Sequence, residues 1–205
     1  MIEFQKSDRL WILQLNRPKK ANALTADMLE EIYAIAKNAH TARAFILTGT
    51  GRVFSAGADL KAAKAGLATS DVWERVSAAI ADLPCLTIAA LNGTLAGGAF
   101  GMALACDVRL AVPNAKFFYP VMALGYLPQP SDPRRMSALV GPARTKMILM
   151  AGKKLTAKEA LTYGLIDQIC ASERLMETAQ SLCENTCKAS PNHAHAIKQM
   201  CIPPS

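Results

Sequence analysis

The stretch LNGTLAGGAFGMALACD, residues 91 to 107, leaves a buried strand and enters a buried helix through a run of small residues. Its glycines Gly97, Gly98 and Gly101 fall where that helix starts. A glycine-rich helix start brings backbone N–H groups and the positive end of the helix dipole close to a ligand. It suits a phosphate, or an oxygen that gains negative charge during a reaction. A second stretch has the same order of parts: FILTGTGRVFSAGADL, residues 45 to 60, is an apolar strand, a glycine turn and the approach to a helix. If the two turns face each other, one N–H from each converges on a single carbonyl oxygen, and the small side chains let a substrate approach. That arrangement is an oxyanion hole, in which one donor is typically worth about 3 kcal/mol of transition-state stabilisation.

Outward from these two stretches, the hydrophobic period alternates between two and 3.6. IEFQK and RLWILQLN read as strands about the turn Ser7-Asp8, with Trp11, Leu13 and Leu15 on one face. From Thr25, an N-cap, Met28, Ile32 and Ile35 recur at helical spacing and predict an amphipathic helix ending near His40. AFILTGTG and CLTIAALNG read as buried strands, and VRLAV and KFFYP as two more. The remainder is mainly helical, with Thr156 and Glu159 in a capping-box pattern before ALTYGLIDQI. Strands preceding helices at intervals predict an α/β fold with largely parallel pairing, in which strand, strand, helix recurs. One domain over residues 1–205 is expected, with its core over about 1–150 and a helical part over about 151–205.

A net charge of +7 would suit nucleic acid, an acidic membrane surface or a phosphorylated small molecule. The basic residues come as dispersed pairs (Lys19-Lys20, Arg134-Arg135, Lys153-Lys154), which argues against a nucleic-acid partner. Apolar runs such as Leu86 to Leu91 are too short to cross a membrane, and the first residues lack the pattern of a signal peptide, so a cytoplasmic location is expected. The six cysteines show no CxxC pair and no disulfide-scaffold density. Cys85 and Cys106 read as small core residues. Cys183 and Cys187 stand one helical turn apart with His193 and His195 close behind, in the manner of zinc ligands, but their spacing is unlike that of usual sites and a helix face beside a Ser-Pro turn explains them, so no metal is expected.

Four segments together resemble the enoyl-CoA hydratase/isomerase, or crotonase, superfamily: LNRPKKANAL (15–24), LTGTGRVFSAGADL (47–60), NGTLAGGAFGMALACDVRLA (92–111) and LTAKEALTYGLIDQI (155–169). The match is collinear from about residue 3 to Met200. The resemblance implies a spiral of β-β-α turns with a shortened C-terminal helical region. It also implies an acyl-CoA thioester substrate, with coenzyme A entering as part of the substrate and no further cofactor, in a lyase or isomerase of fatty-acid-type metabolism. By position, it makes the N–H groups of Ala58 and Gly98 the oxyanion donors. It places Ala56, Gly57 and Leu60 along the coenzyme and brings Lys19 and Lys20 towards its phosphates, although a solvated surface explains the lysines equally. Asp59 is expected to order its turn by accepting from backbone N–H groups. Gly93 and Gly97 read as packing glycines. Family members associate as homo-oligomers such as trimers, and the same is expected here. The chain stops at Ser205, where relatives continue into helices over the acyl pocket, so a more open pocket, or one closed by a neighbour, is expected.

The resemblance also shows what is missing. Hydratases of this superfamily carry one glutamate three residues after the oxyanion glycine and another after the proline of the strand that here reads FFYP. Gly101 and Val121 occupy those positions. Neither can transfer a proton, so general acid–base help worth about 10²- to 10⁴-fold is lost from them. Other branches work from the turn that here reads GYLPQPSDPRRM, whose polar candidates are Tyr126, Gln129 and Asp132. Asp132 is either an acid/base or nucleophile, or the N-cap of a helix beginning at Pro133. Tyr119 is expected to fill the core with its hydroxyl at an edge. Three readings stay open: an acyl-CoA enzyme stabilising a thioester enolate, an acyl-CoA decarboxylase, and a coenzyme-A-binding scaffold without turnover.

Overall fold

The computed structural model describes residues 1–201. Strands β1 (Ile2–Lys6) and β2 (Leu10–Leu15) pair antiparallel, and Trp11, Leu13 and Leu15 are buried, as their alternation requires. Helix α1 (Ala26–Lys37) is capped by Thr25, whose hydroxyl accepts from the Met28 amide at 3.3 Å, and it buries Met28, Leu29, Ile32 and Ala36. The helix is shorter than predicted because a 3-10 turn over Ala39–Thr41 takes the chain past His40.

The next elements repeat one unit. Strands β3 (Ala44–Gly49) and β4 (Val53–Ser55) lead into α2 (Leu60–Lys64) and α3 (Val72–Ala81). Strands β5 (Leu86–Leu91) and β6 (Thr94–Ala96) lead into α4 (Phe100–Ala105). Strands β7 (Val108–Ala111) and β8 (Lys116–Phe118) lead into α5 (Val121–Leu124), α6 (Asp132–Val140) and α7 (Pro142–Leu149). The first strand of each unit joins a six-stranded sheet in the order β1-β2-β3-β5-β7-β10, and the second joins a four-stranded sheet in the order β4-β6-β8-β9. Pairing is parallel throughout except for the β1–β2 hairpin and the β8–β9 edge. This is the crotonase-like α/β spiral of β-β-α turns.

Strand β6 is an element that the glycine-centred reading merged into its turn. It runs against β4 because Gly93 has no side chain: a Cβ there would lie 2.0 Å from the Arg52 carbonyl oxygen. The chain beyond residue 150 is mainly helical, but its two short strands extend both sheets. Strand β9 (Leu155–Thr156) opens α8 (Ala157–Tyr163) with the predicted capping box, in which Glu159 N–H donates to Thr156 Oγ1 at 3.2 Å and Thr156 N–H to Glu159 Oε2 at 2.9 Å. Strand β10 (Gln168–Ile169) pairs with β7. Helices α9 (Leu175–Lys188) and α10 (Pro191–Met200) follow, α10 being capped by Ser190. The last residues of the predicted domain, 202–205, lie outside those described.

Cys183 lies buried on α9, and burial pushes its thiol up to about 12, which opposes thiolate ligation. Among the described residues, no three His, Cys, Asp or Glu side chains are grouped to hold a metal ion. No described helix is long and apolar enough to cross a membrane.

Candidate functional site

The four-stranded sheet positions the site. Val53 and Ser55 of β4 pair with Thr94 and Leu95 of β6, and Leu95 and Ala96 of β6 pair with Phe117 and Phe118 of β8. These three strands are parallel and in near register, so the segments leaving their carboxyl ends emerge side by side. They are residues 56–59, 97–99 and 119–121. A cleft opens there, lined by Ala58, Gly98, Tyr119 and Val121 among others. The carboxyl ends of parallel strands are where ligands commonly bind in α/β folds.

Two of these segments pack closely, backbone against backbone. Gly57 at φ +87° and Gly97 at φ +56° adopt conformations that glycine reaches without strain. A Cβ on Gly57 would lie 2.9 Å from the Ala96 carbonyl oxygen and 3.3 Å from the Gly97 Cα. The ANAL segment, residues 21–24, runs along the other side of the 56–59 turn and takes up two of its amides. Ala56 N–H donates to Ala21 O at 3.0 Å, Gly57 N–H to Ser55 Oγ at 3.1 Å, and Asp59 N–H to Leu24 O at 2.8 Å. Ala58 alone in this turn keeps an amide with no acceptor among the described residues. Gly98 lies in the 3-10 turn Gly97–Ala99 that opens α4, where leading amides have no carbonyl partner within the helix.

The surroundings hold both turns in place. Asp59 caps α2 by accepting from the amides of Lys61 at 3.0 Å and Ala62 at 3.4 Å, and Arg17 Nη1 donates to its other oxygen at 2.8 Å. The Arg17 hydrogen bond, with these amides, holds the carboxyl below its ordinary range. Gly98 rests on the Trp73 ring, whose atoms would stand 3.1–3.2 Å from a Cβ at that position. Trp73 is itself fixed by its indole N–H, which donates to Leu67 O at 2.8 Å.

Of the other predicted residues, Ala56, Leu60, Tyr126 and Gln129 line the same cleft, and Gly57 supports it from the turn. Lys19 and Lys20 are exposed on a 3-10 turn and do not line it. A separate, larger groove, lined by Leu86, Asp107, His193 and Ile197 among others, touches neither turn.

Asp132 does not cap its helix. Ser131 occupies the cap position and makes no side-chain cap bond, because Glu74 of α3 reaches across to accept from the Ser131 amide at 3.1 Å and from its hydroxyl. Asp132 is thereby freed to turn inward. It is fully buried, and its Oδ2 accepts the Tyr119 hydroxyl at 2.8 Å. Tyr119 does fill the core, stacked on Phe100 with ring centroids 5.3 Å apart, but its hydroxyl is engaged rather than left at an edge. Burial pushes the Asp132 carboxyl up to about 7, with the Tyr119 bond and Arg135 opposing the rise and Glu74 adding to it.

The family model described as enoyl-CoA hydratase/isomerase matches residues 5–202. The chain belongs to the enoyl-CoA hydratase/isomerase family. Within it, the chain is 37% identical over 204 residues to YngF of Bacillus subtilis, whose name places it in the same family, covering 95% of this chain and 77% of YngF. It is 33% identical over 208 residues to the short-chain-enoyl-CoA hydratase of Clostridium acetobutylicum, covering 95% of this chain and 78% of that one. The crystal structure of an enoyl-CoA hydratase from Bacillus anthracis superposes with a TM-score of 0.86 at 30% identity, covering 97% of this chain and 81% of that one.

Membership in the hydratase/isomerase family sharpens the two departures. Val121 lines the cleft without a titratable group, and Gly101 is buried in α4. No Asp or Glu is among the residues that line the cleft. The sequence alone did not reveal the Trp73 support, the Glu74 contact at Ser131 or the engagement of Tyr119. Trp73 and Glu74 lie in an ordinary amphipathic helix, and only packing brings them to the site.

Proposed function

We propose that the cleft binds an acyl-CoA thioester with its carbonyl oxygen between the Ala58 and Gly98 amides, and that these donors stabilise the thioester enolate. The observation that carries this reading is the Ala58 amide, left without an acceptor while its neighbours in the turn are taken, in a turn packed against the one that bears Gly98. The names of the relatives, which act on or are described for enoyl-CoA, agree with it.

The absence of an acid from the cleft lining favours a second reaction beside hydration. Loss of CO₂ from a malonyl-type thioester leaves the enolate without a base having to remove a proton, so decarboxylation suits a cleft that keeps the amides and lacks the glutamates. The test is calorimetric binding of propionyl-CoA, followed by turnover of crotonyl-CoA and methylmalonyl-CoA. Binding with slow or absent hydration and faster decarboxylation is expected. Hydration at a hydratase-like rate would overturn the argument from Gly101 and Val121. Binding with no turnover of any thioester would leave a coenzyme-A-binding scaffold.

Self-association belongs to the same proposal. Met122, Leu124, Leu127, Met147 and Met150 are exposed beside the cleft mouth, on α7 or at its C-terminal end, and such apolar surface supports a homo-oligomer. Light scattering coupled to gel filtration is expected to give a multiple of the 21.9 kDa chain mass.

A further inference from the structure

Three facts single out Asp132. Its carboxylate caps nothing, its Oδ1 is buried without a hydrogen-bond partner among the described residues, and its Oδ2 holds the hydroxyl of a tyrosine that lines the cleft. A half-satisfied buried carboxylate is costly. The site is nevertheless made for it. A Cβ on Gly101 would lie 3.1 Å from Asp132 Oδ1 and 3.5 Å from Oδ2, so the carboxylate packs directly over the glycine and even a methyl group there would press it aside by a few tenths of an ångström. The position where the family resemblance implies the first hydratase glutamate is thus the seat of an acid delivered from another helix.

We propose that Tyr119 is the proton-transfer residue of the cleft and that Asp132, seated over Gly101, is the positioning residue that receives and returns its proton. This rests on the acyl-CoA reading above. In the forward step the Cα–H bond of the bound thioester breaks, and its electron pair forms the C=C of the enolate. The carbonyl pair moves onto the oxygen held by Ala58 and Gly98. The Cα proton passes to the Tyr119 oxygen as the phenol's own proton passes to Asp132 Oδ2. While the enolate persists, the Tyr119 hydroxyl, which now carries the former Cα proton, exchanges it with cleft water. Reversal then delivers a solvent proton to Cα, the Asp132 proton returns to the phenol oxygen and Asp132 is again the carboxylate. An enolate formed by loss of CO₂ is protonated by Tyr119 in the same way when Asp132 starts as the acid, and Asp132 then regains its proton from water.

The electrostatics fit the roles. The titratable and charged groups facing Asp132 are Tyr119 after β8, Glu74 from α3 and Arg135 from its own helix; α4 presents Gly101. Burial, opposed by Tyr119 and Arg135, brings the carboxyl to about 7, where it changes charge near neutrality. Burial first, then the adjoining Asp132, drives the phenol well above its ordinary value, so Tyr119 stays protonated until its proton has a receiver.

The test follows α-hydrogen exchange of propionyl-CoA in D₂O by mass spectrometry, alongside calorimetric binding of the same thioester. The wild-type protein is expected to exchange at a rate that rises with pH through about 7, as Asp132 becomes the carboxylate that can receive the phenol proton. Tyr119→Phe removes one oxygen, and it is expected to slow exchange at least about 10²-fold with binding unchanged. Asp132→Asn is expected to abolish the rise with pH, which a merely structural role would leave in place. Exchange by Tyr119→Phe within about threefold of wild type would overturn the proposal, set against the usual worth of such a group. So would a pH rise retained by Asp132→Asn, or a wild-type protein that binds propionyl-CoA and exchanges nothing. Failure to bind propionyl-CoA would instead overturn the acyl-CoA reading itself. If Asp132→Asn does not fold, Tyr119→Phe decides alone.

Discussion

The turns 56–59 and 97–99 offer the cleft backbone amides, whereas its other flank, built from Tyr119, Val121 and the buried Asp132, offers side chains gathered from separate elements. The amide side needs only conformations: two positive-φ glycines, a neighbouring segment that consumes the spare amides, and a flat support under Gly98. The proton side needs an acid, a phenol and a void of the right size to meet, and its partners stand 13 residues apart. Backbone donors can therefore be written in contiguous small-residue motifs. Proton-handling groups can be moved from one helix to another while the fold stays the same.

The comparison can be broken most severely at the support. Trp73→Ala removes the ring beneath Gly98 and opens a cavity between α3 and α4, and we expect a loss of about 3–5 kcal/mol in urea denaturation. A smaller loss would mean that the amide side is held by its own turns alone.

The proton side is probed by stability against pH. The Asp132 carboxyl titrates near 4 in the unfolded chain and at about 7 in the folded one, so the native state holds the proton more tightly. The contribution is complete below pH of about 4, is lost as pH rises to about 7, and is flat above that, a total of about 4 kcal/mol. Asp132→Asn should remove this slope and be the more stable protein above neutrality. Chemical denaturation at a series of pH values would show it, and a wild-type slope persisting in the variant would contradict it.

Smaller effects sharpen the amide side further. Asp59→Ala removes the cap of α2 and the partner of Arg17, and should cost about 1 kcal/mol by thermal or urea unfolding. Lys19→Ala and Lys20→Ala should change the propionyl-CoA Kd by less than about threefold at physiological salt, because exposed charges are screened there. A tenfold loss would bring the lysines back to the coenzyme.

Much of this molecule was legible in its residues because the signals were local. Hydrophobic period and turn chemistry identified the β1–β2 hairpin, the Thr25 cap of α1 and the Thr156–Glu159 capping box. The ordered small-residue motifs indicated the family and the two turns that meet. Strand β6 escaped because it has three residues next to Gly93, and only its partner β4 makes it a strand. Asp132 before Pro133 had the local pattern of a helix cap, and that pattern was overridden by Glu74, 57 residues away from Ser131 in the chain.

The sequence by itself determined the α/β spiral, the positions of Ala58 and Gly98, and the absence of side-chain acids at 101 and 121. Those depend on backbone conformation and residue identity, which act over a few neighbours. Only the tertiary structure decided that the glycine at 101 is a seat for Asp132 and that Tyr119 connects that acid to the cleft. Burial and the meeting of side chains across helices arise only when the packed elements close on one another.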